Sequence, residues 1–510
     1  MTMSDDQNED RLDLTQWIDI DRAPNGRIVG GVVGKDRVFA WRNGNELRAY
    51  SSNCPHLGGP LDKGVVVGAS VRCPWHHACF DLATGEATAA PAFDHLLEYL
   101  VEFDGRRFCV KPALGKALRR VAKRKASPDS IAIVGGGAAG FAAADAIRKL
   151  GWEGGVTIFS EEDQQPYDRT LLTKDYLEGT FGEERLPIAQ HSLGDLGVDF
   201  EIQSVQHIEP EKKLVRLGNG DERTYAKLLL ATGAAPKGLD VPGGDLPHVM
   251  VLRSIQDCRR ILANVISGAR VAVVGGSFIA MEAAASLKGR GLSVDVISPE
   301  EHPLENVFGR DLSNLVLEAH VQKGVRLHLG SKVDRIEDKQ VVLQGGERID
   351  ADIVVVGIGV QSRLELAEAA GLVLDRGVLV NSRLQTSDPN IFAAGDIARW
   401  PDPDTGESIR VEHWVVAERQ GQVAAANMLG RDEPFTMVPF FWTKHFDLSI
   451  RYVGHAEKWD ETRIEGDLAH RDGLVRFRRD GRDLAVATVE RDKDSLGAER
   501  EMESRSQRLL

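Results

Sequence analysis

Apolar and polar positions change rhythm along this chain near residue 130. Up to about Pro112 the apolar residues come in short runs between turn residues: Arg27-Ile28-Val29-Gly30, Arg37-Val38-Phe39-Ala40 and Leu47-Arg48-Ala49-Tyr50. Runs of that length and composition predict a small antiparallel β domain. From Ile131 strand-length apolar runs lead through glycines into alanine-rich stretches of helical length. Ile131–Val134 opens one such unit, ending near Leu150, and Val271–Val274 opens another. Strands alternating with helices predict parallel α/β architecture.

At 510 residues there is room for three or four domains. A net charge of −14 argues against nucleic acid or an anionic membrane as the main partner. The one basic stretch, Ala113 to Ser127, carries Lys116, Arg119, Arg120, Lys123, Arg124 and Lys125 without an acid. It reads as a solvated linker between acidic domains. No apolar run approaches the length of a membrane helix, and Met1 to Asp13 has neither signal nor transit character. The charged tail beyond Ala498 reads as frayed. Five scattered cysteines suggest no disulfide framework, so a reducing cytoplasm is expected.

Two of those cysteines change the picture. Cys54-Pro55-His56 is followed, after 16 residues, by Cys73-Pro74-Trp75-His76. One thiolate and one imidazole per loop is the ligand order of a 2Fe–2S cluster in which two histidines replace two cysteines on one iron. Cys₂His₂ is also a zinc set, but a zinc finger groups its cysteines together and its histidines together. From Trp17 to Pro112 the sequence resembles the Rieske ferredoxins, with Cys54, His56, Cys73 and His76 at the four ligand positions. In respiratory relatives each loop holds a further cysteine, and a serine and a tyrosine donate toward the cluster. Here Gly59 and Trp75, then Ala78 and Phe80, stand at those places, which implies the lower part of the Rieske potential range. His77 stands where the family has glycine. Its plain reading is a tolerated exposed side chain; the alternative is a modulator of the cluster's pH dependence.

The two α/β units each carry a glycine-rich turn. Gly135-Gly136-Gly137-Ala138-Ala139-Gly140 follows a strand and opens a helix, the context in which such a turn seats a pyrophosphate on a helix N-terminus. Gly135, Gly137 and Gly140 are the fingerprint positions, and Glu161 stands 21 residues on, placed to accept from a ribose hydroxyl. The second turn reads Gly275-Gly276-Ser277-Phe278-Ile279-Ala280, so Ser277 and Ala280 replace two fingerprint glycines. Ser277 is expected to crowd a pyrophosphate slightly. Glu300, 20 residues beyond Ala280, favours the free 2′-hydroxyl of NADH over NADPH.

Three further segments decide which unit takes flavin. They are Pro166-Tyr167-Asp168-Arg169 with Leu171-Leu172-Thr173-Lys174, then Leu230-Ala231-Thr232-Gly233-Ala234, then Thr386 through Gly395-Asp396. Together they resemble the ferredoxin reductases and apoptosis-inducing-factor-like flavoproteins. The resemblance implies FAD held by both flanking segments, with the NADH domain inserted between them. It implies that Arg169, Lys174, Thr232 and Gly233 contact FAD and that Asp396 accepts from its ribityl chain. It places Lys174 and Glu282 as catalytic residues at the flavin edge and nicotinamide, and Trp414, in Glu412-His413-Trp414, near the isoalloxazine. A plain core tryptophan is the other reading of Trp414. Pro439-Phe440-Phe441-Trp442 and Tyr452-Val453-Gly454-His455 fit the family's C-terminal domain, which can contribute to a homodimer.

The expected division is a disordered tail at 1–14, a Rieske β domain at 15–112 and a basic linker at 113–128. An FAD domain at 129–245 and 366–432 encloses an NAD(P)H domain at 246–365, and an α+β interface domain fills 433–510. The resemblance implies an oxidoreductase passing electrons from NADH through FAD to its own cluster and on to an oxygenase or cytochrome. The absence of a His-x₄-His iron site argues against a terminal oxygenase. With no cysteine between Asp129 and Asp245, a disulfide reductase is also disfavoured. A redox-responsive interaction protein of low turnover is the remaining alternative.

Overall fold

The computed structural model describes residues 11–115 and 129–506. The expected basic linker falls mostly outside them, at 116–128, while its first three residues close the strand Arg107–Gly115. At the other end of that domain the expected tail is too long. Leu14 is fully buried and its N–H donates to the Val32 carbonyl, because Leu12 and Leu14 point the same way from an extended segment.

A six-stranded antiparallel sheet forms the body of the first domain, with Asp36–Asn43 between Ile28–Val33 and Glu46–Ser51. Period-two alternation splits this central strand between two cores. Phe39 and Trp41 face the cysteine loops, while Val38 and Ala40 face Leu14 and Phe108. A second, four-stranded sheet joins Ser70–Arg72 to Cys79–Asp81, and Cys73–Ala78 is the loop between them.

Two five-stranded parallel sheets follow. The first orders Asp199–Ile202, Gly155–Ser160, Ser130–Val134, Lys227–Leu230 and Ile391–Ala393. Its last two strands are neighbours in space, yet the whole second sheet, built around Arg270–Val274, lies between them in sequence. That is an inserted domain. Both sheets are buried on both faces, which is why their strands read as unbroken apolar runs. Each opens its first turn through a glycine at positive φ, Gly135 at 116° and Gly275 at 120°. A Cβ at Gly135 would meet the Ala231 carbonyl oxygen at 2.1 Å, so only glycine closes this turn.

The last domain is a five-stranded antiparallel sheet from Phe440–His445 to Arg482–Val489, covered by the helix Asp492–Ser506. The expectation of a frayed tail beyond Ala498 is wrong. Glu499, Met502 and Ser506 are all buried on one face of a continuous helix. Only Leu496, Ala498 and Met502 on that face are apolar, too few for an amphipathic pattern to show in the sequence.

Candidate redox site

A cavity of about 910 Å³ opens where the two parallel sheets meet the C-terminal domain. On one side lies the turn from Gly135 through Gly137. The helix Ala138–Lys149 that follows has no side-chain cap, and a Cβ at Gly137 would touch nothing, so its first N–H groups face open space. Gly140 is different: a Cβ there would meet the Gly135 carbonyl oxygen at 2.0 Å, so its role is close packing. An open helix start of this kind suits a pyrophosphate.

Around this turn the sequence-predicted residues are tied to one another. Glu161 lines the cavity and pairs with Arg363 at 2.7 Å. Arg169 pairs with Glu162 and also donates to the Arg253 carbonyl at 3.1 Å. Arg253 in turn reaches Asp396 Oδ2 at 2.7 Å, leaving Oδ1 for a ligand. Thr232, Gly233, Gly395 and Trp414 are also on the cavity wall, Trp414 as the first residue of the helix Trp414–Met428.

Lys174 and Glu282, 108 residues apart in sequence, form a buried ion pair at 2.8 Å. The carboxylate accepts three further hydrogen bonds: from Thr173 Oγ1 at 2.5 Å, Thr443 Oγ1 at 2.6 Å and the Lys444 N–H at 3.4 Å. A buried charge persists only when it is compensated in this way. Sequence reading took in Thr173 only as part of its motif and passed over Thr443 in the strand Phe440–His445, since a single threonine carries no signal of its partner.

The second fingerprint sits apart. Phe278, Ile279 and Glu282 line the cavity, whereas Gly275, Ser277, Ala280 and Glu300 are not among its lining residues. Ser277 is engaged within the chain itself. Its hydroxyl donates to the Gly357 carbonyl at 2.6 Å and caps the helix Phe278–Gly289 by accepting from the Ala280 N–H. Glu300 is exposed just beyond the strand Ser293–Ser298 and accepts from Ser298 Oγ at 2.6 Å.

Cys54, His56, Cys73 and His76 come together as two like pairs. The buried thiols share a hydrogen bond, and the imidazole rings stand edge to face at 4.9 Å. Burial pushes the Cys54 thiol pKa up, opposed by the His56 and Leu57 N–H groups aimed at its sulfur. Against the same burial, the Cys54 hydrogen bond and the Trp75 and His76 N–H groups hold Cys73 below its usual value. Burial and the neighbouring His56 depress the His76 pKa, leaving it neutral as a metal ligand must be. His56 Nδ1 is buried without a partner. Among the described residues no three His, Cys, Asp or Glu side chains converge on a point that one metal ion would fill. Tetrahedral zinc needs such convergence; a thiol pair beside an imidazole pair suits two irons. All five cysteines are free, so no disulfide joins the loops.

The cluster loops and the cavity share a wall. The Trp442 ring lines the cavity, lies 4.1 Å from the His76 ring and 6.2 Å from that of His56, and has Lys174 Nζ 5.9 Å from its centroid. His56 Nε2 also lies 3.6 Å from Asp168 Oδ2. Sequence reading placed Trp442 only as part of the C-terminal domain, because a core tryptophan and a bridging one look alike. His77, expected to be exposed, is fully buried and stacks on Phe440 at 4.0 Å.

Family models agree with this architecture. Residues 17–100 match the Rieske [2Fe-2S] domain, 129–421 the pyridine nucleotide-disulphide oxidoreductases and 440–508 the reductase C-terminal domain. The chain is 31% identical to apoptosis-inducing factor 3 of Homo sapiens over 489 residues, 92% of this chain and 80% of that protein. It is 34% identical to the anthranilate 1,2-dioxygenase system ferredoxin–NAD(+) reductase component of Burkholderia cepacia, over 74% of this chain and 94% of that protein. In the solved covalent putidaredoxin reductase–putidaredoxin complex, one chain superposes with a TM-score of 0.72 at 30% identity, covering 74% of this chain and 94% of that one. FAD, a 2Fe–2S cluster and NADH are the cofactors of this assembly. The chain belongs to the pyridine nucleotide-disulphide oxidoreductase family, as an NAD(P)H-dependent flavoenzyme that carries a Rieske domain ahead of the reductase and a reductase C-terminal domain behind it.

Proposed function

We propose that this enzyme moves electrons taken from NADH at the cavity to its own Cys54/His56/Cys73/His76 loops, and from there to an external protein acceptor such as an oxygenase or cytochrome. The observation that carries this reading is Trp442, whose ring packs on His76 while lining the cavity. FAD supplies two-electron acceptance with single-electron release, and a 2Fe–2S cluster takes one electron at a time. The chain's own residues do the rest.

Gly135 and Gly137 seat the FAD pyrophosphate, Gly140 packs the helix behind it, and Glu161 takes the ribose. Arg169, Thr232, Gly233, Gly395 and Asp396 hold the remainder, with Trp414 beside the ring. Lys174 is held by Glu282 on the Trp442 side of the cavity, where its ammonium would stabilise negative charge on the flavin. Gly275, Ser277, Ala280 and Glu300 bind NADH at the second turn.

Anaerobic stopped-flow mixing with NADH tests the route. Bleaching of the cluster should follow that of the flavin with a first-order rate constant that does not change with protein concentration. No cluster reduction, or a rate proportional to protein concentration, would refute transfer within the chain.

A further inference from the structure

The loop Cys73–Ala78 is held from outside its own domain, and the contacts converge on the carbonyls of the residues either side of His76. Arg451 Nε donates to the Trp75 carbonyl at 3.1 Å, and Arg419 Nη2 to the His77 carbonyl at 3.0 Å. Arg419 Nε takes the Ala90 carbonyl of the same domain. Behind these sits Glu499 of the C-terminal helix, its side chain completely buried. It is 3.0 Å from His77 Nδ1, 3.0 Å from Arg419 Nη1 and 3.1 Å from Arg72 Nη1. One turn on, Glu503 takes the other end of Arg72 at 2.8 Å. Asp492, at the start of the same helix, pairs with Arg451 at 2.7 Å.

His77 shows that this grip is specific. Its φ is 61°, a left-handed conformation that favours glycine. The side chain nevertheless finds Glu499, Ser495 and Phe440, all from the C-terminal domain. A strained backbone persists where the surroundings hold it, and here they belong to another domain.

We propose that His77 and Glu499 are positioning residues: a latch by which the C-terminal helix sets the second cluster loop so that His76 stays against Trp442. The proposal rests on the cavity-to-loop route above. The chemistry it serves balances as NADH giving NAD⁺, one proton to solvent and two electrons, which leave singly through the loops to an external one-electron acceptor.

The test uses holoenzyme with matched flavin and iron. His77→Gly removes the latch side chain while suiting the local φ. Glu499→Gln keeps shape and removes charge. Both should keep the cluster's EPR signal and wild-type ferricyanide reduction, while the first-order rate of cluster reduction falls at least tenfold. Amide exchange in peptides covering 73–79 and 492–506 should rise in parallel. Arg72→Lys, which keeps a cation between Glu499 and Glu503, should stay near the wild-type rate, and Arg72→Gln should follow Glu499→Gln.

Wild-type transfer rates in His77→Gly would overturn the latch, whatever the exchange shows, and this variant decides the matter if Glu499→Gln loses its cluster. Should the wild-type protein itself show no first-order transfer, the route fails and the latch is judged on exchange alone. Unchanged exchange in both variants would then overturn it, and faster exchange would retain it as a docking device.

Discussion

Glu282 illustrates how much of a site lies beyond its charged pair. Lys174 alone would leave one carboxylate oxygen bare in a dry setting; Thr443 and the Lys444 N–H cover it. The gathering of Cys54, His56, Cys73 and His76 was legible in sequence because few side chains bind iron and their order is distinctive. Thr173, Thr443 and Trp442 were not, since each residue type is ordinary in a strand or helix and gains its role from a partner far along the chain. Glu300 offers a sharper test at this scale. It is exposed, and the hydrogen bond from Ser298 leaves its other oxygen for a ribose hydroxyl. NADH should give a higher kcat/KM than NADPH, and Glu300→Ser should reduce the preference by about 1–3 kcal/mol. Equal use of the two nucleotides by the unmodified enzyme would show that this carboxylate does not read the ribose.

Among the elements, the helix Asp492–Ser506 departs furthest from what its sequence suggests. A chain ending at Ala498 should be harmless if the remainder frays. Against the structure it removes Met502 from the core formed with Val415, Phe440 and Val486, and strips the carboxylate from Arg419. Breaking a buried ion pair by deleting one partner costs about 3–5 kcal/mol, so urea unfolding of this truncation should shift its midpoint well below wild type. An unchanged midpoint would mean the last turns contribute nothing. The parallel strands were readable because burial on both faces leaves an unbroken apolar run, as in Ile131–Val134 and Val271–Val274. The last helix was not, because half of its buried face is polar and its carboxylate is satisfied by Arg72, His77 and Arg419 from segments remote in sequence.

Across the whole molecule, the Rieske domain has a core of its own around Phe39 and Phe80 but also sends Ala90 and Phe93 into the reductase core, and the two can still be separated chemically. His76→Ala opens one iron position and should cost the cluster while the parallel sheets, which contribute no ligand, stay folded. At matched FAD content this variant should still reduce ferricyanide and lose activity toward a protein acceptor. Full activity toward that acceptor without iron would place the exit at the flavin. A final consequence follows from where the two imidazoles point. The His56 side chain and His76 are both nearly buried, their outer edges taken by Asp168 and Trp442. An acceptor seeking those same edges competes with the chain's own tryptophan for them. On the proposed route, intake and delivery through these same edges would then alternate rather than coincide. A tighter seat would speed the first half of each cycle and slow the second, so the fastest enzyme would be one whose seat is of intermediate strength.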